Sequence, residues 1–245
     1  MTTDSKLFSA VVIGCGKMGG GVEESWSRDG VFSHAAAYNK HPNFQLIAGV
    51  EPQPKTRDNF ASIWQCPNTF GSLDDCINSG LKFEVASICV PTGQHADILR
   101  KLLETDVLAV LCEKPLTDNY RESKDILNSY RQSNKLLSVN YPKRYFEGVL
   151  SLKHELDNGY WGKIKSAVGF YNKGVRNNGS HIINLLQYLL GNIRIKGVTR
   201  SSDEFDPRDP TIDAFLETDS GVPMYLVGGD HKDFVLFEIH LVAEK

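Results

Sequence analysis

Long apolar runs are absent from this 245-residue chain: VASICV and VLAVLC have only the length of strands, well short of the roughly 18 residues a membrane-spanning helix needs. No membrane partner is expected. The opening MTTDSKLFSAVVIG lacks the basic head, apolar core and small-residue cleavage site of a secretory signal. Its apolar part reads as a first strand, and the protein as soluble and cytoplasmic. Lysines and arginines form no stripe and the net charge is -3, so the electrostatic footprint of nucleic-acid binding is missing. There is no G-x-S-x-G elbow and no G-x-x-x-x-G-K-[ST] loop, which removes the commonest hydrolase and phosphoryl-transfer designs. His34, His41, His154, His231 and His240 show no zinc-like spacing to acids or cysteines, and no metal is expected. The five cysteines, Cys15, Cys66, Cys76, Cys89 and Cys112, are odd in number and read most simply as reduced, mostly buried thiols.

What is present is ordinary globular composition, 41% hydrophobic and 23% charged, with a clear rhythm. Strand SAVVIG, a helix near 33–41, strand FQLIAGV, a helix over 55–65, strand EVASICV, a helix over 94–104, strand VLAVLCE, a helix over 118–133 and strand KLLSVN follow one another. These strands are apolar throughout instead of at every second residue, so a parallel sheet with helices on both faces is expected over residues 1–140. After Asn140 come a helix over 143–157, a strand near 163–171, the apolar helix SHIINLLQYLLG and the strand-like IRIKGVTR, IDAFLETD, VPMYLVGG and FVLFEIHLVAE. Strands in series imply an open, mostly antiparallel sheet with helices on one face. The fold class is thus α/β: a doubly wound Rossmann sheet, then a smaller α+β domain over 141–245. RSSDEFDPRDP reads as an exposed loop. The last strand-like stretch stops at LVAEK, so the second domain is either small by nature or a piece of a larger one.

Gly14-Cys15-Gly16-Lys17-Met18-Gly19 directly follows the strand AVVI and leads toward a helix. In that context Gly14 permits the tight turn, Gly16 lets backbone approach a pyrophosphate, and Gly19 permits close helix–strand packing. Glu51 closes the next strand, where an acid accepts hydrogen bonds from the adenosine ribose and repels a 2′-phosphate. NAD is therefore favoured, with Lys55 and Arg57 near enough to leave NADP open. S-adenosylmethionine is the competing adenine ligand. The stretch GGVEESWSRDGVF, between Gly19 and the helix, reads as an insertion beside the cofactor groove.

Cys112-Glu113-Lys114-Pro115-Leu116 ends the strand VLAVLCE. Ligands of open α/β sheets bind outside the carboxyl ends of strands, so Lys114 is expected to face the cleft. An ammonium there stabilises the alkoxide that forms as a carbinol gives up its hydride.

GCGKMG, VPTGQH, CEKPL and NNGSHIINLL occur in the order found in the Gfo/Idh/MocA oxidoreductases, which the chain resembles from about Phe8 to its end. The resemblance implies a nicotinamide-dependent enzyme acting on a sugar, cyclitol or sugar nucleotide, with a second domain whose open sheet carries the active-site face and homodimer or homotetramer contacts. It makes Lys114 the family's catalytic lysine, with Glu113 beside it among the cofactor-binding residues. Pro91, Thr92 and His95 match a segment passing the nicotinamide, although His95 reads equally as a helix cap. Asn140, Tyr141 and Arg144 match polar residues set against substrate, with Arg144 alternatively at the domain contact. His181 matches the histidine near the reacting hydroxyl and suits acid–base work, its ordinary pKa lying near neutrality. Asn177 and Asn184 stand where many members have aspartates. Asparagine positions a substrate but accepts no proton, so proton transfer would rest on Lys114 and His181. A cofactor-binding relative without turnover is the alternative function.

Overall fold

The computed structural model describes residues 6–21 and 31–245; most of the insertion expected after Gly19 lies outside them. The chain divides into two compact units, Met1–Asn140 and Tyr141–Lys245.

In the first unit β1 (Phe8–Ile13), β2 (Phe44–Val50), β3 (Asn68–Phe70), β4 (Val85–Ile88), β5 (Ala109–Cys112) and β6 (Leu136–Val139) form one six-stranded sheet in the order β3-β2-β1-β4-β5-β6. Each neighbouring pair is parallel. The sheet is that of a doubly wound Rossmann domain, and β1 shows why its strands are apolar throughout. Val11 and Ile13 enter one core with Leu99, Leu102 and Tyr130, while Ala10 and Val12 enter another with Tyr38 and Phe60. Both faces are covered, so neither side of the strand can be polar. The helices are α1 (His34–Lys40), α2 (Pro54–Trp64), α3 (Leu73–Asn78), α4 (His95–Leu103) and α5 (Tyr120–Gln132). Ser33, Ser72 and Asn119 cap α1, α3 and α5 with side-chain acceptors, each worth about 1 kcal/mol. The short β3 and α3 carry too few residues to show a period, and sequence reading passes over them. All five cysteines are free thiols, four of them buried.

The second unit holds α6 (Glu147–Asp157), β7 (Ile164–Tyr171), α7 (Ser180–Leu190), β8 (Ile193–Asp206), β9 (Asp209–Thr218), β10 (Pro223–Gly228) and β11 (Phe237–Ala243). Its five-stranded sheet runs β11-β7-β10-β9-β8. It is antiparallel except between β10 and β7. Ala167, Tyr171, Ala214, Leu216, Met224 and Leu226 project from one face to bury Ile182 and Leu186 of α7. One expectation fails here. RSSDEFDPRDP is not a loop: β8 runs through to Asp206 and pairs with β9, with Pro207 and Arg208 making the turn. One acid misled: Asp203 is exposed, but the Glu204 side chain is buried against hydrogen-bond donors of the same unit.

Candidate active site

The carboxyl ends of the first unit's strands carry the residues that sequence marked for cofactor. Gly14 turns the chain at φ +89°, and a Cβ there would stand 2.7 Å from the backbone of Cys89. A Cβ on Gly19 would lie 1.8 Å from the Gly14 carbonyl oxygen, whereas Gly16 faces open space within 4 Å. The turn thus has two positions closed to any side chain and one where backbone stands bare, as a pyrophosphate requires. Lys17 and Met18 are exposed. A single turn closes with Gly20 N–H on the Gly16 carbonyl, and α1 begins only at His34. Its first amides nonetheless reach back, His34 N–H to Met18 O at 3.0 Å and Ala35 N–H to Gly19 O at 2.8 Å. The Glu51 carboxylate is buried and accepts from Cys15 N–H at 3.1 Å and Gln53 N–H at 3.0 Å. An ionised carboxylate has lone pairs for ribose hydroxyls besides these. Arg57 is tied to the main chain, donating to Glu51 O at 2.7 Å. These residues fit an adenine dinucleotide.

Pro91, exposed, and Thr92, half-buried, come after β4, and Lys114, half-buried, comes after β5 with a cis bond to Pro115. His95 opens α4 with its ring buried. Its nitrogens meet Val90 O and Pro115 O at 2.9 Å each, so it clasps the exits of β4 and β5 together. Glu113 accepts from Asn140 Nδ2 at 2.7 Å and lies 3.0 Å from His34 Nε2. Burial raises the Glu113 pKa, but the hydrogen bonds from His34 and Asn140 outweigh it and hold the carboxyl below its ordinary value. Beyond His34, Ser87 Oγ is 2.9 Å from Nδ1 and 2.8 Å from Tyr38 Oη. Ser87, His34 and Glu113 have the connectivity of a hydrolytic triad, yet Ser87 is 0% exposed and no substrate reaches its hydroxyl.

In the second unit the other marked residues fall in two clusters. Tyr141 stacks edge-on against His181, ring centroids 5.4 Å apart. Arg144 Nε donates to Asn184 Oδ1 at 2.5 Å, and its guanidinium lies over Tyr188. Asn177 belongs to a π-helical turn, Gly174–Gly179, that runs into α7. The β8–β9 hairpin holds this turn by its amides: Lys173 N–H reaches Glu204 at 2.7 Å, Gly174 N–H Thr211 at 2.9 Å, Arg176 N–H Asp209 at 2.7 Å and Asn177 N–H Asp209 at 2.9 Å. Glu204 also takes Thr211 Oγ1 at 2.5 Å and both the amide and the ring of His231. Burial raises its pKa, but these bonds outweigh it and carry it down to about 2. Glu204, Asp230 and His231 are close enough to share a cation, but the donors already around Glu204 explain the grouping without one.

Sequence reading missed His34, Ser87 and Tyr38 below the cofactor face, and Glu204 and Asp209 under Asn177. His34 has no motif around it; its position at the head of α1, facing the strand exits, was the available signal. Glu204 and Asp209 were hidden by the loop assignment.

The sequence profile of an oxidoreductase family with an NAD-binding Rossmann fold, GFO_IDH_MocA, matches residues 8–141. Inositol 2-dehydrogenase of Rhizobium meliloti is 23% identical over 132 residues, covering 54% of this chain and 39% of that protein. D-glucoside 3-dehydrogenase of Escherichia coli is 22% identical over 194 residues, covering 69% of this chain and 53% of that one. The chain thus spans about half or less of the length of these curated relatives. Among solved structures, the WlbA dehydrogenase of Chromobacterium violaceum, in complex with NADH and UDP-GlcNAcA, superposes with a TM-score of 0.81 at 17% identity, over 99% of this chain and 73% of that one. The 3-ketoreductase KijD10 of Actinomadura kijaniata, with NADP and TDP-benzene, gives 0.76 at 18%, over 98% and 74%. With the glycine turn, Glu51 and the Glu113-Lys114 exit all on one strand-end face, and a family match across that whole sheet, the chain belongs to the Gfo/Idh/MocA family of NAD-binding oxidoreductases.

Proposed function

We propose that this protein interconverts a carbinol and a carbonyl on a sugar, cyclitol or sugar nucleotide, using NAD in preference to NADP. The observation that carries this reading is the placement of Lys114 beside Glu113 at the exit of β5, on the edge where Gly14, Gly16, Gly19 and Glu51 fit a dinucleotide. When bound, the nicotinamide supplies the hydride acceptor or donor. Lys114 places a positive charge against the carbinol oxygen as the C–H bond breaks, lowering the cost of the alkoxide. His181 takes the hydroxyl proton, and Tyr141 against its ring restricts its orientation. In the reverse direction the same imidazole returns the proton to the carbonyl oxygen. Asn177, Asn184 and Arg144 serve substrate hydroxyls by hydrogen bonding. Pro91 and Thr92 border the nicotinamide half of the dinucleotide groove, and Asn140 serves substrate beside its bond to Glu113. Glu51 disfavours a 2′-phosphate by charge. The sugar-like substrate class rests on relatives that act on inositol and glucosides and on a neighbour that binds a sugar nucleotide.

The test is a fluorescence titration of the purified protein with NADH and NADPH, followed by a search for absorbance change at the reduced-nicotinamide band with pooled polyols, sugars and sugar nucleotides. Binding of NADH tighter than NADPH, with turnover on a carbinol substrate, is the expected result. Binding without turnover would identify a cofactor-binding relative, a reading that the asparagines at 177 and 184 favour; no binding would overturn the assignment.

A further inference from the structure

The buried chain Tyr38–Ser87–His34–Glu113–Asn140 has no part in the proton transfer above, yet it converges on one carboxylate. Glu113 can only accept, so His34 Nε2 and Asn140 Nδ2 both donate to it. With His34 as the Nε2–H tautomer the chain closes with every donor used once. Tyr38 donates to Ser87, Ser87 to His34 Nδ1, and His34 to Glu113. In that arrangement the imidazole holds the carboxylate without cancelling its charge. The thiols of Cys89 and Cys112 add none, since burial and then the Glu113 charge push both pKa values up, that of Cys112 to about 12. The Glu113 side chain remains 13% exposed, a small opening at the carboxyl end of the sheet.

That opening lies on a particular half of the fold. The glycine turn and Glu51 place the adenosine end over β1 and β2, and in a doubly wound sheet the second mononucleotide lies across the switch point, over β4, β5 and β6. Glu113 and Asn140 end β5 and β6. The ring that comes to this side is a cation when oxidised and neutral when reduced, so a fixed carboxylate at its edge acts on one form only.

We propose that Glu113, held by His34 and Asn140, is the residue by which this protein discriminates between the two redox states of its cofactor, favouring NAD+ over NADH. The inference rests on the cofactor reading above and deepens it. Between the limits of bulk water and a protein surface, one unit charge at close range changes affinity by roughly ten-fold. Glu113→Gln keeps an acceptor for His34 and Asn140 and removes only the charge.

Dissociation constants for NAD+ by calorimetry and for NADH by fluorescence, on wild type, Glu113→Gln and Glu51→Gln, decide the matter. The expected result is that Glu113→Gln lowers the preference for NAD+ relative to NADH about ten-fold, while Glu51→Gln, at the adenosine end, weakens both alike. A merely structural Glu113 would weaken both forms together and leave the ratio unchanged, which would overturn the proposal. Should the variant fail to fold, the wild type still decides: NAD+ is expected to bind at least as tightly as NADH, and tighter binding of NADH overturns the inference. Absence of any dinucleotide binding would bring down the cofactor reading and this inference with it; binding at an unchanged ratio brings down the inference alone.

Discussion

Lys114 and His95 show how differently two residues near the exits of β4 and β5 can be used. His95 sits at a helix start, where sequence leaves a cap and a cofactor contact equally open, and its buried ring spans two main-chain carbonyls, which ties the strand exits together. Lys114 follows β5 half-buried, and replacing it tests its charge directly. Lys114→Ala is expected to lower turnover by about 10²- to 10⁴-fold, the usual scale for a group acting on the proton or charge of the reacting oxygen. NADH titration should remain as in wild type. A loss of NADH binding in that variant would move Lys114 from the reacting oxygen to the cofactor.

The π-helical turn and the β8–β9 hairpin form a unit of their own in the second half of the chain. Asp209 accepts two amides at the head of the helical stretch that continues into α7, and a carboxylate in that position also meets the positive end of the helix dipole. Asp209→Ala should therefore lower stability by about 1 kcal/mol, read as a fall in melting temperature, with Asp209→Asn recovering part of it. Glu204 gives the same region a pH dependence of definite sign. Its folded pKa, about 2, lies below its ordinary 4.5, so its stabilisation is fully present above the ordinary value and is lost as pH falls toward 2. Thermal unfolding followed between pH 6 and 2 should show a steeper acid decline in wild type than in Glu204→Gln. Parallel curves would mean that Glu204 is not ionised in the fold.

Across the whole molecule, the second sheet uses one face for α7, and on the other Val168, Phe170, Phe215, Tyr225 and Val242 are interleaved with Glu217, Glu238 and His240. Tyr225 pairs across strands with both Val168 and Phe215, and Tyr225 and Val242 are 49% and 54% exposed. The homodimer or homotetramer that the family resemblance implies would set this face against the same face of a second copy, an isologous contact that needs only one patch. Light scattering on the wild type should report a dimer or a larger even assembly. Tyr225→Lys with Val242→Lys should shift it toward monomer with the fold retained; an unchanged mass would exclude the face. Among the described residues no helix is long and apolar enough to cross a membrane.

Much of the first unit was legible in the sequence because a parallel sheet covered on both faces leaves a strong trace: short apolar runs at regular spacing, a glycine turn after the first and an acid after the second. Gly14 and Gly19 were readable because backbone geometry excludes every other residue there, and a steric veto is local. The second sheet was readable as strands in series, since alternation survives wherever one face is buried. Only tertiary structure could decide what the polar residues do. His34 meets Glu113 across 79 positions and Asn177 meets Asp209 across 32, and a hydrogen bond between distant residues leaves no period in the chain. For the same reason Glu204 looked like part of a solvated loop. Burial paired with donors, and not composition, is what distinguishes an internal carboxylate from a surface one, and both depend on where the rest of the chain is placed.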